Sequence, residues 1–409
     1  KRLYHYLLAW FGSLWFSRPS KKLYVIGVTG TKGKSSTIEL LSSIFDAAGK
    51  KTAALSTVHR KIGAHRSLNS SGNTMPGRFQ IQRFFRDALE AGCEYAFLEV
   101  TSQGVVQHRH RFIDFDAAAL TGLHPEHIES HGSFENYREA KVGFFRYTAK
   151  YSDNDTPLFF IPKDDETNTF FFKAAATRGR VIEFSHQDFL ERLLKGDRKQ
   201  LGPWFESDFN LSNAALASEI ALSQNIPWMI VAEALKNFHG VPGRLEYISG
   251  KVADEKGQSQ DVQVVIDYAH TPGSLEAVYS FLRKKLEGSP GNLICVFGSA
   301  GGGRDKWKRP LMGEVADKYC DRIILTSEDP YDENPKEIVD AIRSGIAKTE
   351  KVEEILDRKE AMQTAVKKAR GSDIVTITGM GSQAWFYGEK GAKLPWSERK
   401  VIEEVFVKE

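Results

Sequence analysis

The sequence predicts an α/β fold: a central P-loop ATPase-type domain on a parallel sheet, followed by a C-terminal Rossmann-like α/β domain. Three observations carry this prediction. From Lys22 onward, short apolar runs alternate with helical stretches. A glycine-rich turn in "VIGVTGTKGKSST" (residues 25–37) joins the first such run to a helix. A turn-rich stretch, "HGVPGRLEYIS" (His239–Ser249), interrupts the alternation, which then restarts.

Taken in order, "KLYVIGV" reads as a short buried strand. "KSSTIELLSSIFDAAG" reads as a helix with apolar positions Ile38, Leu41 and Phe45, stopped at Gly49. "EYAFLEV" and "FDAAALTGL" are expected to be further central strands. "FENYREAKVGFFRYTAK" and "NLSNAALASEIALSQ" are expected to be helices. Beyond the junction, "VQVVIDYA", "NLICVFG", "RIILTS" and "DIVTITG" read as strands with helices between them. The expected domains are a short aromatic segment over residues 1–22, a nucleotide-binding domain over 23–242 and a smaller C-terminal domain over 243–409. The polar, basic stretch Ser185–Ser207 receives no assignment, and neither repeats nor low-complexity tracts are seen.

Bulk properties narrow the function. A chain of 409 residues, 41% hydrophobic, supports two or three domains with real cores. A net charge of +3 gives no basic field for nucleic acid. Cys93, Cys295 and Cys320 form no CxxC pair, which argues against zinc sites and disulfides and suits a reducing, cytoplasmic compartment. No apolar run reaches the roughly 20 residues that span a bilayer. The segment "LYHYLLAWFGSLWF" (Leu3–Phe16) is aromatic and nearly uncharged, with Lys1, Arg2, Arg18, Lys21 and Lys22 flanking it. Two readings stand: a helix packed on the body of the protein, or peripheral contact with a membrane interface. A cleaved signal peptide is not expected, because no small-residue cleavage site precedes the first strand.

The glycine-rich turn has the chemistry of a phosphate cradle. Gly30, Gly33, Lys34 and Ser35 form G-x-x-G-K-S between strand and helix. Glycines let backbone N–H groups approach phosphate oxygens, and the helix N-terminus adds partial positive charge. Lys34 is expected to reach the β and γ phosphates and Ser35 to ligate Mg²⁺. The spacing departs from the strict Walker pattern, with Val28 where that pattern has glycine. Glu99 ends the strand in "AFLEVTSQG"; a carboxylate there serves equally as a Mg²⁺ ligand, a cap or a salt-bridge residue.

"GLHPEHIESHGSFENYREAK" (Gly122–Lys141) gathers His124, His127 and His131 with Glu126 and Glu129. Such histidines suit a solvated loop or a metal site. A cationic Lys141 beside a metal would repel it. A lysine carbamylated by CO₂ is instead an anionic oxygen ligand, which suits Mg²⁺.

These stretches resemble the Mur ligase family of ATP-dependent, amide-bond-forming enzymes of peptidoglycan synthesis. The family loop TGTNGK[TS] is matched by "TGTKGKS", which implies that Gly30, Thr31, Lys32, Gly33, Lys34, Ser35 and Ser36 bind ATP. The family block D-H-L-D-x-H-G…N-Y…A-K is matched by "EHIESHGSFENYREAK". The resemblance implies two Mg²⁺ sites: Ser35 with Glu99, and His127 with carbamylated Lys141. "DFNLSNAALA" puts Asn213 near the adenine, and "VPGRLE" puts Arg244 on the nucleotide. "IDYAHTPGSLE" places Asp267, Tyr268 and His270 near ribose and base. "VFGSAGGGRDKWKRPLMG" implies that Arg304, Asp305, Lys308 and Arg309 close the site from the second domain. The matches run from about residue 23 to 402. They imply γ-phosphoryl transfer to a carboxylate, then attack by an amine.

"EVTSQGVVQHR" (Glu99–Arg109) is similar to the MurE-like branch, which adds the third peptide residue. It implies that Thr101, Gln107 and Arg109 contact a muramoyl-dipeptide, with Thr74 of "NTMPG". A guanidinium suits a carboxylate; Arg109 is otherwise a structural salt-bridge residue. Three departures stand out. Only about 22 residues precede the loop strand, too few for the family's uridine-diphosphate-binding domain. The D-N-P-R motif of diaminopimelate enzymes reads "EDPY" (Glu328–Tyr331), placing Asp329 and Tyr331 at the amino-acid site. The G-K-G-H-E motif reads "GMGSQ", with Gln383 for glutamate. Lysine or another amine is therefore expected over diaminopimelate. A lipid-linked or shorter muramoyl peptide is a further acceptor. Folylpolyglutamate-type or poly-γ-glutamate ligation, a P-loop kinase or NTPase, and a degenerate nucleotide-binding regulator are the alternatives; a monomer is expected.

Overall fold

The computed structural model describes residues 2–69, 73–125, 131–163, 168–193, 201–253, 259–303 and 305–407. The chain divides into two compact units, Lys1–His239 and Gly240–Glu409.

The first unit opens with helix α1 (Arg2–Trp15) and then lays down β1 (Tyr24–Thr29), helix α2 (Lys34–Ala47), β2 (Thr52–Leu55), β3 (His59–Ile62) and β4 (His65–Leu68). Helix α3 (Arg78–Glu90), β5 (Tyr95–Glu99), helix α4 (Ser102–Val106), β6 (Ala117–Leu120) and helix α5 (Phe134–Tyr151) follow. Strands β7 (Leu158–Pro162) and β8 (Arg180–Phe184) complete an eight-stranded sheet in the order β4-β3-β2-β5-β1-β6-β7-β8. Strands β2, β5, β1, β6, β7 and β8 run parallel, while β3 and β4 turn back as antiparallel strands. The inner parallel strands are near-continuous apolar runs because both faces are covered, with β2 and β6 buried at every position, whereas the edge strand β8 is only partly buried.

Strand β1 is the pivot. It lies between β5 and β6, with Val28 opposite Glu99 and Thr29 opposite Leu120. The turn after β1, the end of β5 and the start of the loop after β6 therefore share the carboxyl edge of the sheet. Open parallel sheets bind ligands at that edge. Gly49, with φ 71°, ends the α2 region as expected.

Helix α1 packs on α3 through Gly12 and Phe11 against Phe79, and on the loop before β6 through Tyr6 against Phe112; Ala9 and Ser13 are buried. Its opposite side leaves Leu3, Leu7, Trp10, Leu14 and Trp15 exposed. No helix among the described residues is long and apolar enough to cross a membrane. The unassigned stretch after Ser185 contains a helix, His186–Arg192, capped by the Ser185 side chain.

The second unit holds β9 (Glu246–Ala253), β10 (Ser259–Asp267), β11 (Leu293–Phe297), β12 (Arg322–Leu325), β13 (Val352–Glu354) and β14 (Ile374–Thr378), in the order β13-β12-β11-β14-β10-β9. All pairings are parallel except the edge strand β9. A small hairpin, β15 (Trp385–Tyr387) and β16 (Lys393–Pro395), follows.

The cysteine reading needs one correction. Cys295 in β11 and Cys320, just before β12, form a disulfide with Cα atoms 6.1 Å apart. Their separation of 25 residues hides a neighbour relation made by parallel pairing of β11 with β12. Cys93 is free and buried.

Candidate functional site

In the first unit the site grows from the carboxyl end of β1. Gly30, with φ 144°, turns the chain out of the strand, and Gly33, with φ 81°, caps α2. A Cβ on Gly33 would overlap Asn213 Oδ1, so Asn213 on the helix Asp208–Ser223 sits directly against the loop. Lys34 Nζ folds over the loop and donates to Gly30 O at 3.0 Å and Thr31 O at 2.9 Å. Lys141, projecting from α5 and 2% exposed, donates to the same Gly30 carbonyl at 2.7 Å. Its ammonium also lies 4.8 Å from the Tyr137 ring centre. The Tyr137 hydroxyl is 3.0 Å from Thr31 Oγ1, and Thr121 Oγ1 donates to Lys32 O. Ser36 is buried in the first turn of α2.

Ser35 Oγ donates to Glu99 Oε1 at 2.5 Å. Glu99 is fully buried at the end of β5 and also accepts from Thr57 N at 2.9 Å and Thr57 Oγ1 at 3.0 Å. Thr57 in turn bonds Thr74 Oγ1 at 2.9 Å. The next residue, Met75, accepts at its carbonyl from Arg109 Nη1, while Arg109 Nε and Nη2 donate to Gln107 Oε1 at 3.1 and 2.8 Å. Thr101 caps α4, accepting from Gly104 N at 3.0 Å. Burial holds the Arg109 guanidinium below its ordinary pKa. The loop Ser35, the carboxylate Glu99 and the polar cluster Thr74, Gln107 and Arg109 are thus neighbours along one bonded chain. Sequence reading missed its middle link, Thr57, which has no motif of its own.

Among the described residues, His124 and His131 make different contacts. His124 uses its backbone to bracket Thr31 Oγ1, whereas the His131 ring lies 3.1 Å from Ser102 Oγ and edge-on to Tyr137. His127 lies outside the described residues. Among those described, no group of three His, Cys, Asp or Glu side chains forms a metal cage.

In the second unit the expected residues gather at the carboxyl ends of β10 and β14. Asp267 ends β10 and accepts from Leu245 N and Ala269 N, each at 2.7 Å. The Arg244 guanidinium stacks 4.3 Å from the Tyr268 ring centre, and Gln383 Nε2 donates to the Tyr268 hydroxyl at 3.3 Å. Burial raises the Tyr268 pKa. His270 Nδ1 is 2.7 Å from Tyr268 O, and Lys308 Nζ donates to His270 O at 2.8 Å. Beyond β12, Asp329 and Tyr331 have positive φ of 38° and 52°. Asp329 Oδ1 accepts from Tyr387 N at 2.8 Å, and the Tyr331 and Tyr387 rings stack at 5.5 Å. Tyr387 carries no sequence signal. Asp305 also has positive φ, and Arg309 pairs with Glu333 at 3.0 Å; Arg304 lies outside the described residues.

Residues 28–221 match the Mur ligase middle domain, and residues 243–381 match the Mur ligase glutamate ligase domain. A UDP-N-acetylmuramoyl-L-alanyl-D-glutamate–2,6-diaminopimelate ligase of Aquifex aeolicus is 34% identical over 405 residues, covering 95% of this chain and 79% of that relative. A UDP-N-acetylmuramyl-tripeptide synthetase of a Roseiflexus species is 33% identical over 420 residues, covering 96% and 80%. Among solved structures, a UDP-N-acetylmuramoyl-L-alanyl-D-glutamate–2,6-diaminopimelate ligase aligns with a TM-score of 0.57 and 25% identity, covering 94% of this chain and 78% of that one. A folylpolyglutamate synthase of Mycobacterium tuberculosis shares the fold, with a TM-score of 0.65 at 14% identity and coverages of 91% and 92%.

Proposed function

This chain belongs to the Mur ligase family of ATP-dependent, ADP-forming amide ligases, and from that premise we propose that it adds an amino acid to a carboxylate of a muramoyl-peptide acceptor. One observation supports this most: hydrogen bonds run from Ser35 through Glu99 and Thr57 to Thr74, and the carbonyl of the adjoining Met75 accepts from Arg109, which links the phosphate cradle to a guanidinium cluster.

In this reading the γ-phosphoryl group leaves the β-phosphate oxygen and bonds an acceptor carboxylate oxygen. ADP departs, and the amine nitrogen attacks the carbonyl carbon of the acyl phosphate. Phosphate leaves and the amine gives up a proton. The loop N–H groups and Lys34 hold the phosphates, and Lys34 exchanges its contacts with loop carbonyls for phosphate oxygens. The hard oxygens of Ser35 and buried Glu99 fit Mg²⁺, which when bound offsets phosphate charge. We assign a second Mg²⁺ to His127 and a carbamylated Lys141. A carbamate keeps one N–H, so the bond to Gly30 O survives the modification. Arg244, Asp267, Tyr268, His270 and Lys308 are assigned to the nucleotide, and Asp329, Tyr331 and Gln383 to the amino acid. Tyr331 offers a stacked ring where a guanidinium would grip a distal carboxylate, which supports lysine or another amine over diaminopimelate.

A lipid-linked acceptor is a second reading, favoured by the exposed Leu3, Leu7, Trp10 and Leu14 of α1 beside exposed Arg18 and Lys22. Such a face suits peripheral contact at the inner membrane surface, with the protein otherwise cytoplasmic and monomeric.

The test is phosphate release from MgATP with UDP-muramoyl-L-alanyl-D-glutamate and a panel of amines, with product masses. Release triggered by one amine, with a peptide of matching mass, is expected. Phosphate retained on the product would make the protein a kinase. Silence with the soluble acceptor but turnover with its lipid-linked form would select the second reading.

A further inference from the structure

Arg78 has no place in the motifs or in the mechanism above, yet its surroundings are unusual. It is the first residue of α3, whose first turn contains no acidic residue. A cation there opposes the helix dipole. Its Nη2 donates to the Gln107 carbonyl, while its Nε is buried without a hydrogen-bond partner. Arg109 grips the side chain of the same Gln107 from Nε and Nη2. Two guanidiniums therefore meet on one residue, and among the described residues no carboxylate pairs with either. Burial lowers the pKa of both, and the Arg109 charge lowers that of Arg78 further. Like charges brought together, partly desolvated and without a counter-ion, make a local conflict of the kind found at binding sites. Each side chain is also held by a carbonyl acceptor, so neither is free to swing into solvent without losing a charge-assisted hydrogen bond.

The surroundings identify the anion. Arg109 is tied to the Met75 carbonyl, one residue from Thr74, and so to the Glu99 network at the phosphate loop. An acceptor ending in glutamate has two carboxylates. One must be phosphorylated, and the other must be held away from the phosphoryl group. Two guanidiniums present enough N–H donors to take that second carboxylate in forked geometry and to offset its charge.

Resting on the acceptor proposed above, we propose that Arg78 is a second substrate-binding residue, which together with Arg109 clamps the acceptor carboxylate that is not activated. Binding of UDP-muramoyl-L-alanyl-D-glutamate to the full chain, measured by calorimetry without ATP, tests this in wild type, Arg78→Met and Arg78→Lys. Methionine keeps the apolar stem and removes the charge; lysine keeps the charge and loses the fork. Two mono-amides of the acceptor, one at each glutamate carboxylate, are measured in parallel. Arg78→Met should weaken binding about 10- to 100-fold, with Arg78→Lys between it and wild type. One mono-amide should bind wild type correspondingly weakly, and Arg78→Met, left with Arg109 alone, should distinguish that amide from the free acid by a smaller factor than wild type does. If Arg78→Met binds the acceptor as wild type does, or still discriminates both amides as wild type does, Arg78 is only a brace for Gln107 and the inference fails. If wild type binds neither UDP-muramoyl-L-alanyl-D-glutamate nor its lipid-linked form, the acceptor reading itself falls, and this inference with it.

Discussion

Replacing Gly33 by alanine probes how the phosphate loop is held. Gly33 has φ 81° and ψ −13°. An L-residue in the left-handed region costs about 1–2 kcal/mol, and alanine recovers about 0.4–1 kcal/mol by restricting the unfolded chain, leaving a backbone cost of about 1 kcal/mol. The new Cβ also lands on Asn213 Oδ1. Asn213 is 6% exposed, with Thr37 Oγ1 and Asn210 Oδ1 each 3.5 Å away as partners. Displacing this buried amide adds about 1–3 kcal/mol. Gly33→Ala should therefore destabilise the protein by about 2–4 kcal/mol. In an Asn213→Ala background the same change should cost only about 1 kcal/mol, because the overlap is gone. Urea unfolding of the four proteins gives the cycle, and ATP titration shows whether the relieved loop regains affinity. An equal cost in both backgrounds would refute the overlap as the cause.

Glu99→Gln keeps an acceptor for Ser35 Oγ and Thr57 N, and the Thr57 hydroxyl can rotate to accept from the new amide. Stability should change by no more than about 1 kcal/mol while ligation falls at least about 100-fold, measured by denaturation and amine-dependent phosphate release. Lys141 should give a carbamate signal by ¹³C NMR in ¹³C-bicarbonate, and Lys141→Ala should lose it along with activity, with partial rescue by formate. No signal in active wild-type protein would remove the carbamate. In the second unit, burial raises the Glu398 pKa to about 7 despite its ion pair with Arg358. Between the ordinary glutamate range and pH 7 the folded chain holds a proton that the unfolded chain has released, so stability falls as pH rises through this window. Denaturation from pH 5 to 8 should show this slope in wild type and a flatter one in Glu398→Gln. Equal slopes would mean that Glu398 stays charged throughout.

Much of the local geometry of the candidate site was legible in the sequence because local chemistry carries it. The G-x-x-G-K-S turn needs glycines for positive φ, a lysine within reach of phosphate and a helix directly after it, all within a few residues. The strand runs around Val25, Ala96, Ala117, Val264, Cys295, Ile323 and Val375 were legible for a similar reason, since burial on both faces of a parallel sheet leaves continuous apolar stretches. Relations between distant segments were not legible. Parallel pairing of β11 with β12 joined Cys295 to Cys320, overturning the expectation of free thiols. The order β5-β1-β6 brought Glu99 to Ser35 across 64 residues and made Thr57 the bridge to Thr74. The meeting of Arg78 and Arg109 on Gln107 likewise comes from packing at the start of α3, because two charges 31 residues apart carry no mutual signal until the chain folds. Local propensity and burial pattern are properties of a stretch of chain, and these the sequence by itself determined. Register, sheet order and the pairing of charges depend on which stretches become neighbours, and only the tertiary structure decided them.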